Sequence, residues 1–514
     1  MKICHFYVRI MLKLRLLYKL PTIVLFICSA CVILLLISVL ELRWIQDEHL
    51  KYHHDDTTVA PKTEKVTKAS NSLYLHVPKY VVFDRLDSTD MRHLKHVFEM
   101  LDYFNCQRTS LNASDWDVLW SFYYPFRILS TYVKDMKPHQ LVNHFPGTGY
   151  ITNKVDLALS GIAHIPPAFK LPNQKTALLD YVKKHPQKLF VQKSNSHRGI
   201  RIQKVEDLNL NTPETFVQEF IHNPLLVDGF KFDVGIYTII TSIDPLRLYI
   251  YNGDFLLRFC PEKYHPFDPQ NLNKYVIGDD YLPTWKVPSL MKYYNELGFG
   301  MRESLNAHLR SQGKNPQKIW DQMEEAIRLV VLKKEPQILK AVSKYPSKNN
   351  FFEMFRFDFV VDDELNVFLL EANMSPNLSS DHYPPNQLLY RQVLFGLFSI
   401  VGLAHFKRRS LTPDAEVALK NIMVDSKSCS SHMCETCMSP ECQLCMNCLT
   451  ASNIRTLKQT YREFNNKQDN KRIFPPTMTP EEAAAPIDLE DYSSENQFMY
   501  RWFRKKCLMD VHWC

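Results

Sequence analysis

Residues 355–373 (FRFDFVVDDELNVFLLEAN) constrain the fold of this 514-residue chain more tightly than any other segment. Two runs of aromatic, β-branched and aliphatic residues alternate with polar ones about an Asp-Asp-Glu-Leu turn, the pattern of an antiparallel hairpin. A period of two places Glu371 and Asn373 on one face of the second strand, and a turn centred on Glu364 and Leu365 sets Asp358 opposite Glu371. Facing carboxylates repel, so the pair calls for a cation or a proton between them, or for ion pairs with a nearby Arg or Lys. Asp358, Glu371 and Asn373 together offer the oxygen donors that suit magnesium, a hard ion that completes its shell with water and substrate phosphates. The ligand this hairpin implies is Mg-ATP.

Elsewhere between residues 76 and 405, short β-rich runs (FVQKS, FVQEF, RLYIY) alternate with helical ones (WDQMEEAIRLVVLKK, QLLYRQVLFGLFSIVGLA), which predicts an α+β domain. LFVQKSNSHRGIRI (189–202) reads as a strand delivering Lys193 into a polar loop that carries Arg198 and Gly199. A lysine at a strand end neutralises phosphate oxygens while loop N–H groups fold over them. FVQEFI (216–221) reads as a half-buried strand whose Glu219 can accept from an adenine amino group, with backbone at Phe220 or Ile221 on the ring edge. GFKFDVGIYTII (229–240) puts Lys231, Asp233 and Gly235 on one strand face, charged where apolar alternation could have continued, and Arg258 lies on the next run but one.

In that order the motifs resemble the ATP-grasp ligases, and more narrowly the tubulin tyrosine ligase-like family. The resemblance rests on WDVLWSFYYPF, VNHFPGTGYITNK, VQEFIHNPLLVDGFKFDVGIY, LRFCPEKY and FEMFRFDFVVDDELNVFLLEANMSPNL. It implies a fold of three subdomains with ATP clamped between two sheets. It also implies transfer of an amino acid to a protein carboxylate through an acyl-phosphate that the amine displaces. Carried over residue by residue, Lys193, Glu219, Ile221, Lys231 and Asp233 would hold ATP, Asp358, Glu371 and Asn373 magnesium, and Arg258 the phosphoryl group or acyl-phosphate. By the same resemblance the amino acid is glutamate and the acceptor tubulin or a tubulin-like acidic tail. The chain departs from the family at Ser194, where proline is usual, and at NLNKYVIGDDYLPTW after Tyr264, where His-Leu-Thr-Asn is expected. It departs most seriously at Gly235, where the Lys-Phe-Asp-x-Arg phrase has arginine. Loss of a cation from a dry phosphate site weakens transition-state stabilisation, which makes a membrane-anchored nucleotide-binding pseudoenzyme the alternative reading.

The ends of the chain carry separate signals. Residues 1–20 are basic, and residues 21–40 are uncharged and apolar over 20 positions, which as a helix span about 30 Å, a bilayer's hydrocarbon core. Lys2, Arg9, Lys13, Arg15 and Lys19 precede this run and mixed charges follow it, so the positive-inside rule predicts a single-pass type II protein with its ligase domain lumenal or extracellular. A cleaved signal peptide is the competing reading. Residues 41–75 read as a polar tether. Beyond residue 405, six cysteines crowd into residues 429–448 of a Cys-rich segment (406–455), and a polar tail (456–514) reads as an appendix. Behind an anchor the cysteines favour disulfides over zinc, and the Asn112 sequon would be glycosylated if lumenal. The net charge of +7 is small for this length and is not gathered into one run, which argues against a nucleic-acid partner.

Overall fold

Three sheets organise the residues described by the computed structural model, namely 77–84, 91–194, 201–213, 215–403, 417–424 and 428–514. The first sheet is parallel, with β1 (Lys79–Phe83), β2 (Gln107–Arg108), β3 (Val118–Ser121) and β4 (Leu141–Val142) in the order β2-β1-β3-β4. Parallel neighbours need crossovers, and α1 (Lys95–Tyr103) lies in the connection between β1 and β2, burying Val97, Met100 and Leu101.

The short helix α2 (Lys154–Ala158) leads to the second sheet, which is antiparallel. It comprises β5 (Ala168–Leu171), β6 (Phe190–Ser194), β7 (Arg201–Gln203) and β8 (Thr215–Glu219) in the order β5-β8-β6-β7. Helix α3 (Lys175–Lys184) drops Leu178 onto Leu171, Phe190 and Val217, so one face of this sheet is sealed and the other is left for a ligand.

The large third sheet is built on β10 (Phe230–Ile243), flanked by β9 (Leu226–Val227), β11 (Leu246–Tyr251), β12 (Leu256–Phe259) and β14 (Glu353–Val361). It extends through β13 (Leu282–Pro283), β15 (Val367–Asn373) and β16 (Asn470–Phe474). All of β10 after Phe230 is buried. Helix α4 (Gln317–Val342) covers the Ile236 face with Trp320, Met323 and Ile327, while α5 (Asn386–Ile400) brings Tyr390 to Tyr237 on the other. In the hairpin β14–β15 Asp358 stands opposite Glu371 as expected, but the register next to the turn is one residue different from the expectation, Val361 opposite Val367, and an irregularity between Asp358 and Phe359 makes up the difference. Its turn is pinned by Asp362, which accepts from the N–H groups of Glu364 and Asn366 at 3.1 and 2.7 Å, with Leu365 in the left-handed region at φ 65°.

The C-terminal region differs from the expected appendix. Strand β16 pairs antiparallel with β11, Leu248 opposite Phe474 and Tyr251 opposite Asn470, and so extends the central sheet. Helix α6 (Ala451–Asn465) places Glu463 against Arg247 of β11 in a buried two-pronged ion pair of 2.7 and 2.9 Å. Helix α7 (Ser494–Met509) packs Phe498, Met499, Trp502 and Phe503 with Leu457 and Trp513 into a second core. The clustered cysteines form the disulfides Cys429–Cys445, Cys434–Cys442 and Cys437–Cys448, and Cys507–Cys514 closes the chain end. Such bridges stiffen a segment with little core of its own.

The type II membrane placement is corrected. A crossing helix needs about 20 apolar residues, and among the described residues no helix is long and apolar enough to cross a membrane. The apolar helix α5 has 15 residues and is buried in the protein core. The span read at 21–40 and the tether at 41–75 lie outside the described residues. The glycan on Asn112, which depended on a lumenal placement, falls with it.

Candidate nucleotide and metal site

A cavity of about 310 Å³ opens between the second and third sheets. The second sheet contributes Lys193 at the end of β6 and Gln218 of β8, followed by Phe220 and Ile221; the third contributes Lys231 and Asp233 (β10), Arg258 (β12), Arg356 and Asp358 (β14), and Glu371 and Asn373 (β15). Lys154, the first residue of α2, completes the wall. A two-residue turn, Asp228 and Gly229 with φ of 52° and 85°, reverses the chain between β9 and β10. That is the hairpin turn glycine favours, and it delivers Lys231 at the head of β10.

Three lysines converge here. The Lys193 ammonium donates to Gln218 Oε1 at 3.0 Å, Lys231 to the Tyr275 carbonyl at 2.8 Å, and Lys154 lies 3.2 Å from Glu371 Oε1. Burial pushes the Lys193 pKa down to about 8, with Lys154 and Lys231 adding to the effect and Glu371 opposing it. A buried lysine beside two more cations gains by binding an anion.

The acidic groups form one connected chain with the arginines. Asp233 accepts from Arg258 Nε and Nη2 at 3.0 and 2.7 Å, and Arg258 Nη2 also reaches Asp358 Oδ2 at 3.2 Å. Asp358 accepts from Arg356 Nε and Nη2 at 2.7 and 2.8 Å and from Asn373 Nδ2 at 3.1 Å. Burial raises the Asp358 pKa, but Arg356 and Arg258 together outweigh it and hold the carboxyl below its usual range. For Asp233 burial prevails over Arg258 and the pKa is raised.

The two carboxylates and the amide predicted to bind metal are thus neighbours, Asp358 opposite Glu371 and Asn373 hydrogen-bonded to Asp358. In this structure they are neutralised by Arg356, Arg258 and Lys154. Among the described residues no group of three His, Cys, Asp or Glu side chains could hold a metal ion alone. The donor set fits a magnesium ion that takes its remaining ligands from phosphate and water. Five cations, with three carboxylates once Glu219 is set aside, line the cavity, a surplus that fits a polyphosphate.

Glu219 also lines the cavity. Its Oε2 accepts from the Tyr181 hydroxyl of α3 at 2.6 Å and its Oε1 from Lys188 at 2.5 Å, so both oxygens already have partners. The residue of β8 bonded to Lys193 is Gln218, one position earlier. Arg198 and Gly199 lie outside the described residues. Lys154, Gln218 and Arg356 were not singled out from sequence. Lys154 follows Asn153, whose side chain caps α2 by accepting from Val155 and Asp156 N–H groups at 3.0 and 3.1 Å. That Asn-Lys pair was a readable sign of a cation at a helix start, and Arg356 stands two residues before Asp358, on its strand face.

A mixed α/β fold with a cationic and acidic cavity between two antiparallel sheets defines the class, and comparison with known proteins identifies it. The tubulin-tyrosine ligase family matches residues 133–409, and the chain belongs to that family. It is 41% identical over 457 residues to Probable tubulin polyglutamylase ttll-15 of Caenorhabditis elegans, covering 85% of this chain and 87% of that protein. It is 27% identical to Tubulin monoglutamylase TTLL4 of Homo sapiens, covering 76% of this chain and 33% of that protein. For Tubulin polyglutamylase TTLL5 of Mus musculus the identity is 25%, covering 70% of this chain and 28% of that protein. The chain therefore spans about a third or less of the length of the last two. All three relatives are named for tubulin modification, and none of those names supports the lumenal placement corrected above.

Proposed function

We infer that this chain is an ATP- and magnesium-dependent protein amino-acid ligase that joins glutamate to glutamate side chains of tubulin or a tubulin-like acidic tail. The observation that carries the reading is the convergence of Lys154, Lys193 and Lys231 with the Asp233–Arg258–Asp358–Arg356 chain around one cavity, in a member of this family. ATP with magnesium supplies the γ-phosphoryl group that activates the acceptor carboxyl, so that the amine displaces phosphate and the products are an amide, ADP and phosphate. In this reading Lys193 and Lys231 would hold the nucleotide's phosphates, and Asp358, Glu371 and Asn373 the metal. Arg258 is oriented by Asp233 and shares Asp358, so its charge is fixed before any substrate arrives. Such preorganised charge in a dry site is the main catalytic resource of phosphoryl and acyl transfer. Glutamate and tubulin are carried by the relatives' names alone.

The test is incorporation of labelled glutamate into tubulin by the purified chain with Mg-ATP, alongside tubulin lacking its acidic tail. Incorporation that needs both nucleotide and tail supports the reading. Nucleotide binding with no transfer to any acidic acceptor would overturn it.

A further inference from the structure

Gly235 is the position where the family phrase has arginine, and its surroundings explain the exchange. Its backbone lies outside the left-handed region, so the chain conformation does not call for glycine here. Space does. A Cβ on residue 235 would lie 2.9 Å from Arg356 Cδ, 3.2 Å from Arg356 Nε and 3.1 Å from Asp358 Oδ1. The first of these is closer than Cβ atoms approach real neighbours, and it involves the stem of a side chain fixed at its far end by two hydrogen bonds to Asp358.

Register gives the same picture. Gly235 of β10 stands opposite Asp358 of β14, and Arg356, two residues earlier on β14, stands opposite Tyr237. The Arg356 side chain therefore runs diagonally along the sheet and fills the volume a side chain at 235 would take. Its side chain is 10% exposed, lines the cavity, and lies beside Gly235, on a residue that stands opposite the buried Tyr237.

We propose that Arg356 supplies, from the neighbouring strand, the phosphate-facing cation that Gly235 lacks, and that glycine at 235 is the condition for it. The inference rests on the ligase reading above. Gly235 is then not a mark of lost catalysis, and Gly235→Arg in the parent chain is harmful, because the new side chain must displace Arg356 from Asp358.

The test is a double-mutant cycle on the full chain, reading the affinity for Mg-ATP, the affinity for adenosine, and ligation. Arg356→Gly should weaken Mg-ATP roughly ten- to a hundredfold, the scale of a lost charge-assisted hydrogen bond, with adenosine affinity little changed. Gly235→Arg alone should also weaken Mg-ATP. The double variant, with the cation moved to β10, should regain most of what either single loses, and Arg356→Lys should fall between parent and Arg356→Gly, since it keeps charge without the planar fork. A merely structural arginine would lower adenosine and ATP affinity together. Unchanged Mg-ATP affinity in Arg356→Gly, or a folded double variant no better than the worse single, would overturn the proposal. Should Arg356→Gly not fold, the double variant still decides by its preference for ATP over adenosine. A parent chain that binds no Mg-ATP would remove the ligase reading as well.

Discussion

Replacing Arg247 by methionine tests whether the C-terminal region is part of the ligase fold. Arg247 and Glu463 are 1% and 4% exposed, and Glu463 accepts from Arg247 Nε and Nη2 at 2.7 and 2.9 Å and from the Thr241 hydroxyl at 2.8 Å. Removing the arginine leaves a buried carboxylate without its charged partner, and breaking a buried pair from one side costs about 3–5 kcal/mol. Arg247 sits on β11, whose free edge β16 covers, so the loss should fall on the docking of β16, α6 and α7. Amide hydrogen exchange in β16 should then accelerate by roughly two to four powers of ten if those strands open locally. The double variant Arg247→Met/Glu463→Met should recover most of that protection, because an apolar pair of similar volume is about neutral in such a site. Unchanged exchange in Arg247→Met would refute the reasoning and return the tail to the status of an appended unit.

The site makes three further predictions. Glu371→Gln should abolish ligation and weaken the magnesium dependence of ATP binding, since it removes one of the two carboxylates of the donor set; equal ligation by variant and parent would make the hairpin structural only. Burial pushes the Lys193 pKa down to about 8 and phosphates favour its charged form, so ATP affinity should be steady below about pH 8 and fall as pH rises through it, by at most about tenfold per unit, with proton uptake on binding seen by calorimetry in buffers of different ionisation enthalpy. In the Cys-rich segment, the six thiols between 429 and 448 should resist alkylation until a reductant is added, and chelators should leave them unreactive; alkylation without reduction would contradict the disulfides.

What the sequence made legible was what its short periods encode. The 355–373 hairpin and its Asp358–Glu371 pair could be read because alternation and a polar turn act within a few residues, and Asp362 locks that turn through its own side chain; the irregularity between Asp358 and Phe359 that brings the pair into line left no sign in the sequence. Strand β16 could not be read. NKRIF is five residues long, carries two charges, and is set in a polar stretch, and its partner β11 lies more than 200 residues away in the chain. Its burial comes from Phe503, which carries Arg472 over its ring at 3.5 Å, and from the Arg247–Glu463 pair, none of which is local. The phase of β8 was not legible either. FVQEF alternates acceptably in either phase, and only the packing of Tyr181 from α3 decides that Gln218, not Glu219, meets Lys193.

Gly235 shows why a motif read along one strand misjudges a site built across several. Along β10 the glycine removes a cation from Lys231-x-Asp233-x, and nothing within that strand replaces it. Across the sheet, the nearest side-chain atoms to residue 235 belong to Arg356 and Asp358, more than 100 residues later in the chain, and they fill the space before any side chain at 235 could. The charge of a phosphate site depends on where guanidinium groups end, not on which Cα they start from. Arginine stems are long enough that two adjacent strands can each serve the same point. The glycine on β10 and the arginine on β14 therefore have to be weighed together, since the second fills the space the first leaves.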